Sequence, residues 1–263
     1  MKKYLIKHLT LALLFVLCGL SSAVAQKGNY VGGAGMLQSV SLSNSTDMRN
    51  PYLDSESTWT WGGGLVFTHN FEDNFGIQTG FYYSRQGQQY SGEEPLDESQ
   101  NVLLPFESNV EMDFLKVPLL FGFNNSLDAG EYVFLSIYFG LQLDLLYNAR
   151  FSSSHEFQEP EGVTFDPSNV FRQTSASLVG SVIFNVRLND NWYGLAGFKL
   201  DRTLGDFERK DFNFPEDAPQ EWKFPLGTPK TANRTFDPIT RATTRNVVAA
   251  LTLGIVYKFG GSE

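Results

Sequence analysis

Beyond its first 25 residues the sequence has no cysteine, only two histidines, and no apolar run long enough to cross a bilayer as a helix. Each shortage removes a class of function. Cys18 lies inside an N-terminal leader, so the remaining chain has no thiol; disulfide scaffolding, thiol nucleophiles and cysteine-based zinc sites are all excluded. A spanning helix needs about 20 apolar residues. Without one, any membrane-embedded structure must be a closed barrel, the other arrangement that satisfies every backbone group in hydrocarbon. Positive charge is scarce as well, with 20 Lys and Arg against 29 Asp and Glu. Losing the leader's three lysines (Lys2, Lys3, Lys7) takes the formal charge from -9 to about -12. Such a balance argues against nucleic acid as a partner, since that needs a basic face.

The leader has three parts: lysines near Met1, an apolar stretch from Leu11 to Leu20, and the small-residue site Ala23-Val24-Ala25. This is the pattern of a secretory signal peptide, so residues 1–25 are expected to be cleaved and residues 26–263 to form one domain. An uncleaved anchor is the competing reading. A lipid anchor on Cys18 would want a small residue before it, where Val16-Leu17 stands.

Aromatics and glycine are plentiful: 23 Phe, 11 Tyr and 24 Gly. Together with the missing apolar runs they fit strands that face lipid on one side. Period-2 alternation is the test. From Tyr132 to Ala149, Val133, Leu135, Ile137, Phe139, Leu141, Leu143, Leu145 and Tyr147 fall on one face. Ser136, Gly140, Gln142, Asp144 and Asn148 fall on the other. The last strand repeats this, with Val247 through Phe259 opposite Asn246, Thr252, Gly254 and Lys258. Its aromatic end resembles the signal read by the barrel-assembly machinery, an expected partner during insertion.

Six further segments alternate: Tyr30–Leu42 (either face could meet lipid), Thr58–Asn70, Phe75–Ser84, Val110–Phe123, Thr174–Leu188 and Trp192–Leu204. The expected fold is therefore all-β, an eight-stranded antiparallel up-and-down transmembrane barrel in a bacterial outer membrane. Short turns at Glu72–Asn74, Asn124–Glu131 and Asn189–Asn191 would be periplasmic. Long links at Ser43–Ser57, Arg85–Asn109, Phe151–Gln173 and Gly205–Thr244 would be extracellular. A soluble sandwich or lipocalin-like barrel also alternates, but its strands are shorter and its apolar face is turned inward.

Within the fourth strand, Phe114-Leu115-Lys116-Val117-Pro118-Leu119-Leu120-Phe121 resembles a motif of the PorT-like outer-membrane β-barrel family, usually written Y-L-E-I-P-L-L-L. Lys116 departs from it, standing where the family has an acid. Pro118 is expected at a bulge or an edge, because proline removes a ladder hydrogen bond. The resemblance covers strand order and loop lengths along the mature chain. It implies a barrel with no single activity, the namesake supporting secretion of other proteins.

Catalysis finds little support. His69 sits at the expected periplasmic end, away from the outer rim where barrel enzymes work, and His155 lies in a loop beside Ser152, Ser153, Ser154 and Glu156. No calcium-loop spacing occurs, and no metal or cofactor is expected. A pore is opposed by barrel size, since eight strands enclose a space that side chains fill. Lys116, Asp144, Arg187, Lys199 and Asp201 are expected to face inward and pair there. Arg85, Arg150, Arg172, Arg202 and Arg245 each fall near the extracellular end of a strand, where guanidinium groups would meet lipopolysaccharide phosphates. Loop aromatics Phe207, Phe212, Phe214, Trp222 and Phe224 suggest a packed loop or a docking surface for an outer-membrane partner. The expected function is binding or assembly by a non-enzymatic barrel through its loops. The alternatives are a narrow transport or secretion-accessory barrel, then a lipid-modifying enzyme.

Overall fold

Strands that alternate over more residues than a soluble sheet uses have one way to satisfy both faces and both edges in lipid, which is to close on themselves. The computed structural model shows this, describing residues 28–45, 47–49, 53–71, 74–95, 103–124, 132–153, 169–209 and 242–260. Eight strands follow in order: β1 (Asn29–Ser43), β2 (Leu53–Asn70), β3 (Phe75–Pro95), β4 (Leu103–Asn124), β5 (Val133–Ser153), β6 (Thr174–Arg187), β7 (Trp192–Thr203) and β8 (Arg245–Phe259). Each pairs antiparallel with its neighbours, and β8 pairs with β1 from Arg245↔Ser43 to Phe259↔Asn29, closing the barrel. The expected leader lies outside the described residues.

The outer wall is apolar and banded. Leu37, Leu65, Leu119, Phe139, Leu253 and Ile255 are among the large apolar side chains exposed on it. One aromatic girdle is formed by Trp61, Tyr83 and Tyr147, with ring centroids 5.2 and 6.4 Å apart in succession. The other contains Phe75 against Phe123 at 5.7 Å and Trp192 against Tyr257 at 5.1 Å. Tyr83 and Phe75 lie on one strand, ~26 Å apart along it. Tilted by 35–45°, this gives a vertical band of roughly 20 Å, close to the height of an outer-membrane barrel's apolar belt. The first strand, undecided from its pattern, turns Ala34, Met36, Gln38, Val40 and Leu42 inward and Leu37 outward.

Three details depart from the sequence reading. Residues 85–95, 103–109 and 53–57, expected as loop, are strand; β3 and β4 run 21 and 22 residues. A membrane strand needs ~9–11 residues. Above the bilayer the outer face meets water, so the apolar alternation that marks a strand disappears there while the ladder continues. Pro118 lies within β4 and not at an edge. The β3–β4 ladder is interrupted between the pairs Thr79↔Leu119 and Tyr82↔Lys116 with no register slip, and the Thr79 hydroxyl donates to the Pro118 carbonyl at 2.7 Å. Asn148 faces outward, because the β4–β5 register shifts between Asp113↔Asn148 and Phe114↔Leu146. A bulge exchanges the two faces beyond it.

The wall is drawn tight at some glycines. A Cβ on Gly64 would overlap the Phe81 carbonyl oxygen and sit 2.7 Å from Tyr82 Cα, whereas one on Gly180 would meet nothing within 4 Å. Gly64→Ala is therefore expected to cost about 1–3 kcal/mol, as overpacking does. Gly180→Ala should be neutral or slightly stabilising. Urea unfolding of the two variants checks this, and equal midpoints would contradict it.

Candidate functional site: a filled lumen and a charged outer rim

Inward-facing side chains of the described residues build three layers along the lumen. Toward the periplasm, Tyr193 packs edge-on against Tyr30 at 5.5 Å and against Phe134 at 6.0 Å. Tyr82, Tyr138, Leu120, Val179 and Ile183 complete this apolar layer. Above it is a charged layer. Lys116 Nζ lies 3.0 Å from Asp201 Oδ2 and 3.9 Å from Asp144 Oδ1, and Lys199 Nζ lies 3.6 Å from Asp201 Oδ2. Asp144 is the register partner of Lys116, but Asp201 reaches it from β7, so the bridge crosses the lumen.

The layer is closed by neutral donors and acceptors. Gln142 donates to Asp144 at 2.7 Å and accepts from Lys199 at 2.7 Å, and Ser177 donates to Asp144. Two ammonium groups and two carboxylates thus cancel, and neutral side chains add hydrogen bonds to the carboxylates, as a buried ionic cluster requires. Four of the five charges expected inside meet here. Arg187 does not: it lies at the exposed periplasmic end, paired with Asp190 at 2.9 Å. Lys116 takes its counter-charges from β5 and β7.

A third, apolar layer caps the extracellular mouth. Phe171 and Phe207, both fully buried, stack at 5.1 Å with planes 20° apart, and Phe207 rests on Phe114 at 5.7 Å. They are brought in by two chain segments that pair as an isolated bridge, Phe171↔Glu208, tied by Arg172 N–H to the Phe207 carbonyl at 2.9 Å and Arg209 N–H to the Val170 carbonyl at 2.8 Å. Phe207, expected in either a packed loop or a docking surface, is packed into a lumen cap. A local pattern does not reveal this, because which loops fold over the mouth is decided by strands distant in sequence. Phe212, Phe214, Trp222 and Phe224 lie outside the described residues.

The five rim arginines occupy three settings. Arg85 and Arg150 face outward on β3 and β5 and are joined across β4 by acids. Arg85 pairs with Glu111 Oε2, and Arg150 lies 3.7 Å from the same oxygen and 3.1 Å from Asp113 Oδ2. Tyr83 Oη donates to Asp113 Oδ1 at 2.7 Å, and Asn148 Nδ2 donates to Oδ2 at 2.8 Å. Arg85 does not end its strand, which continues ten residues to Pro95. Arg172 lies beside the Phe171 bridge, with no ion pair among the described residues. Arg202 and Arg245 come together on neighbouring strands, Arg202 opposite Val247 and Arg245 two residues along β8. Glu111 and Asp113 went unnoticed in the sequence, although they continue the outward face of Leu115 and Val117 at period 2.

The remaining candidates are dispersed. His69 hydrogen-bonds Asn29 Oδ1 at 2.7 Å near the periplasmic end. His155, Ser154 and Glu156 lie outside the described residues. Among the described residues no three His, Cys, Asp or Glu side chains gather as metal ligands.

Several solved outer-membrane proteins are similar to the chain. OprG from Pseudomonas aeruginosa is 13% identical, covering 90% of this chain and 98% of its own, with a TM-score of 0.49. The neisserial surface protein NspA is 14% identical over 88% and 97% respectively, TM-score 0.39. Ail of Yersinia pestis, in complex with the heparin analogue sucrose octasulfate, is 14% identical over 89% and 99%, TM-score 0.38. No curated protein sequence matches the chain. The model of the outer membrane protein beta-barrel domain matches residues 25–187. With the closed barrel and its apolar belt, this match makes the chain a member of the outer membrane protein beta-barrel domain family, resident in the bacterial outer membrane.

Proposed function

We propose that the protein is a non-enzymatic, non-conducting barrel whose extracellular rim and loops bind, the rim contacting lipopolysaccharide and the loops a surface ligand or an outer-membrane partner. The observation that carries this is the lining of the lumen: an ion-pair layer between two aromatic layers of buried side chains supports a barrel whose chemistry for ligands is displayed outside. The rim supports the lipid part of the reading with Arg172, Arg202 and Arg245, which have no carboxylate partner among the described residues, since guanidinium groups match phosphate oxygens in a bidentate way. The projecting strands β2–β5 favour a loop-borne partner, as in a secretion-accessory role. The motif Phe114–Phe121 favours a PorT-like assignment within the family.

Replacement of all five arginines by glutamine is expected to remove most of the lipopolysaccharide that co-purifies with the folded barrel. Unchanged lipid per barrel would contradict the rim reading. Pull-down from mild detergent should recover a stoichiometric outer-membrane partner through the loops, and recovery of the barrel alone would contradict the partner reading.

A further inference from the structure

The rim arginines differ in what already neutralises them. Arg85 and Arg150 share Glu111 and Asp113, so two positive charges meet two negative ones. Arg202 and Arg245 have no such company. Their side chains make no ion pair or hydrogen bond among the described residues. Both point outward from the β7–β8 ladder, where Arg202 opposes Val247 and Arg245 lies two residues along on the same face. Such diagonal neighbours are ~7–8 Å apart, a spacing that two long side chains close readily around one tetrahedral anion.

The wall beneath them is free of competing negative charge. β8 and β1 contain no Asp or Glu, and the only acid of β7, Asp201, points inward to Lys116. Just past β7, Asp206 accepts the Thr244 backbone N–H at 3.0 Å, and Glu208 is buried beneath the cap. Below the two guanidinium groups, Leu200, Val247, Ala249 and Leu251 line the outer face at the level of acyl chains. A bidentate cation pair above an aliphatic strip suits a phosphorylated lipid headgroup, and the low-dielectric surroundings strengthen the attraction.

We infer that Arg202 and Arg245 form the phosphate site for an outer-leaflet glycolipid with a phosphorylated glucosamine headgroup, while Arg85 and Arg150 form a self-neutralised strut that holds no phosphate. This rests on the reading of the rim as lipopolysaccharide-contacting. The site takes the phosphate, the aliphatic strip below takes acyl chains, and one lipid sits against the β7–β8–β1 wall.

The test reconstitutes the full folded barrel into liposomes containing lipopolysaccharide, its dephosphorylated form or phosphatidylglycerol, and measures lipid retained per barrel after gentle extraction. R202Q/R245Q is expected to lower lipopolysaccharide retention at least tenfold. R85Q/R150Q should keep it within twofold of the parent, and the dephosphorylated lipid should not be retained. R202K/R245K, which keeps charge but loses the fork, should fall between. Heat-modifiable gel mobility confirms that each variant is folded. Equal losses in both double variants would overturn the assignment, as would equal retention of phosphatidylglycerol. If the five-arginine variant loses lipid while R202Q/R245Q keeps it, this pair is the wrong site and the rim reading stands. Should the five-arginine variant keep its lipid too, both fail.

Discussion

Lys116→Met is expected to destabilise the folded barrel by about 3–5 kcal/mol, the cost of leaving buried charge without its partner. The lysine is 2% exposed and is the single cation that both Asp144 and Asp201 reach. Its removal leaves two buried carboxylates with Lys199 as the remaining cation of the layer. Methionine nearly preserves the volume, so the loss reports charge and not a cavity. A second substitution sharpens the attribution: K116M/D144N leaves Asp201 with Lys199 as one neutral pair, and most of the lost stability should return. Urea unfolding followed by tryptophan fluorescence measures both. If K116M unfolds with the parent, or if the double variant is weaker than the single one, the layer is not held by charge balance.

Removing the cap has a comparable effect by different physics. Phe171 and Phe207 have no exposed surface, and each truncation to alanine deletes a ring from a packed layer at about 3–5 kcal/mol. Because the two rings stack on each other, their losses should not add. F171A/F207A is expected to fall short of the sum of the single variants, with a coupling of about 0.5–3 kcal/mol typical of residues in contact. The double variant should nevertheless remain non-conducting, since the charged layer beneath it still spans the lumen. Strict additivity would mean that the two segments cap the mouth independently.

Both predictions concern the lumen, and the lumen was the part of the molecule the sequence described least completely. The wall was legible because lipid imposes the same demand on every strand: Ile137, Phe139, Leu141 and Leu143 face out for one reason, and period 2 records it. Strand count and order followed from that single rule. Where the outer face leaves the lipid the rule no longer applies, so Gln86, Gln88 and Tyr90 of β3 read as loop although their side chains point into the mouth. Inward charges could be recognised one at a time from their parity. Their pairing could not, because Lys116 meets Asp201 across a diameter fixed only by barrel closure. Arg187 shows the limit of parity, lying on the inward face but below the wall's end.

The rim divides the same way. Five arginines near strand ends suggested a uniform ring, yet the β4–β5 bulge and the acids Glu111 and Asp113 neutralise one side and leave the other open. Glu111 and Asp113 fall inside the expected strand Val110–Phe123, but their meeting with arginines of β3 and β5 depends on register and on the bulge, which period 2 does not give. Phe171 and Phe207 left no comparable mark, being ordinary loop residues until the segments that carry them pair over the mouth.

The closed barrel and its layered lumen underlie the proposal that binding falls to the outer surface and loops. Current recorded across a planar lipid bilayer containing the purified, folded protein tests this most directly. A sealed lumen should give no discrete conductance steps at any moderate voltage, for the parent and for F171A/F207A alike. Reproducible ohmic steps from the parent protein, abolished when the sample is heat-denatured, would contradict it.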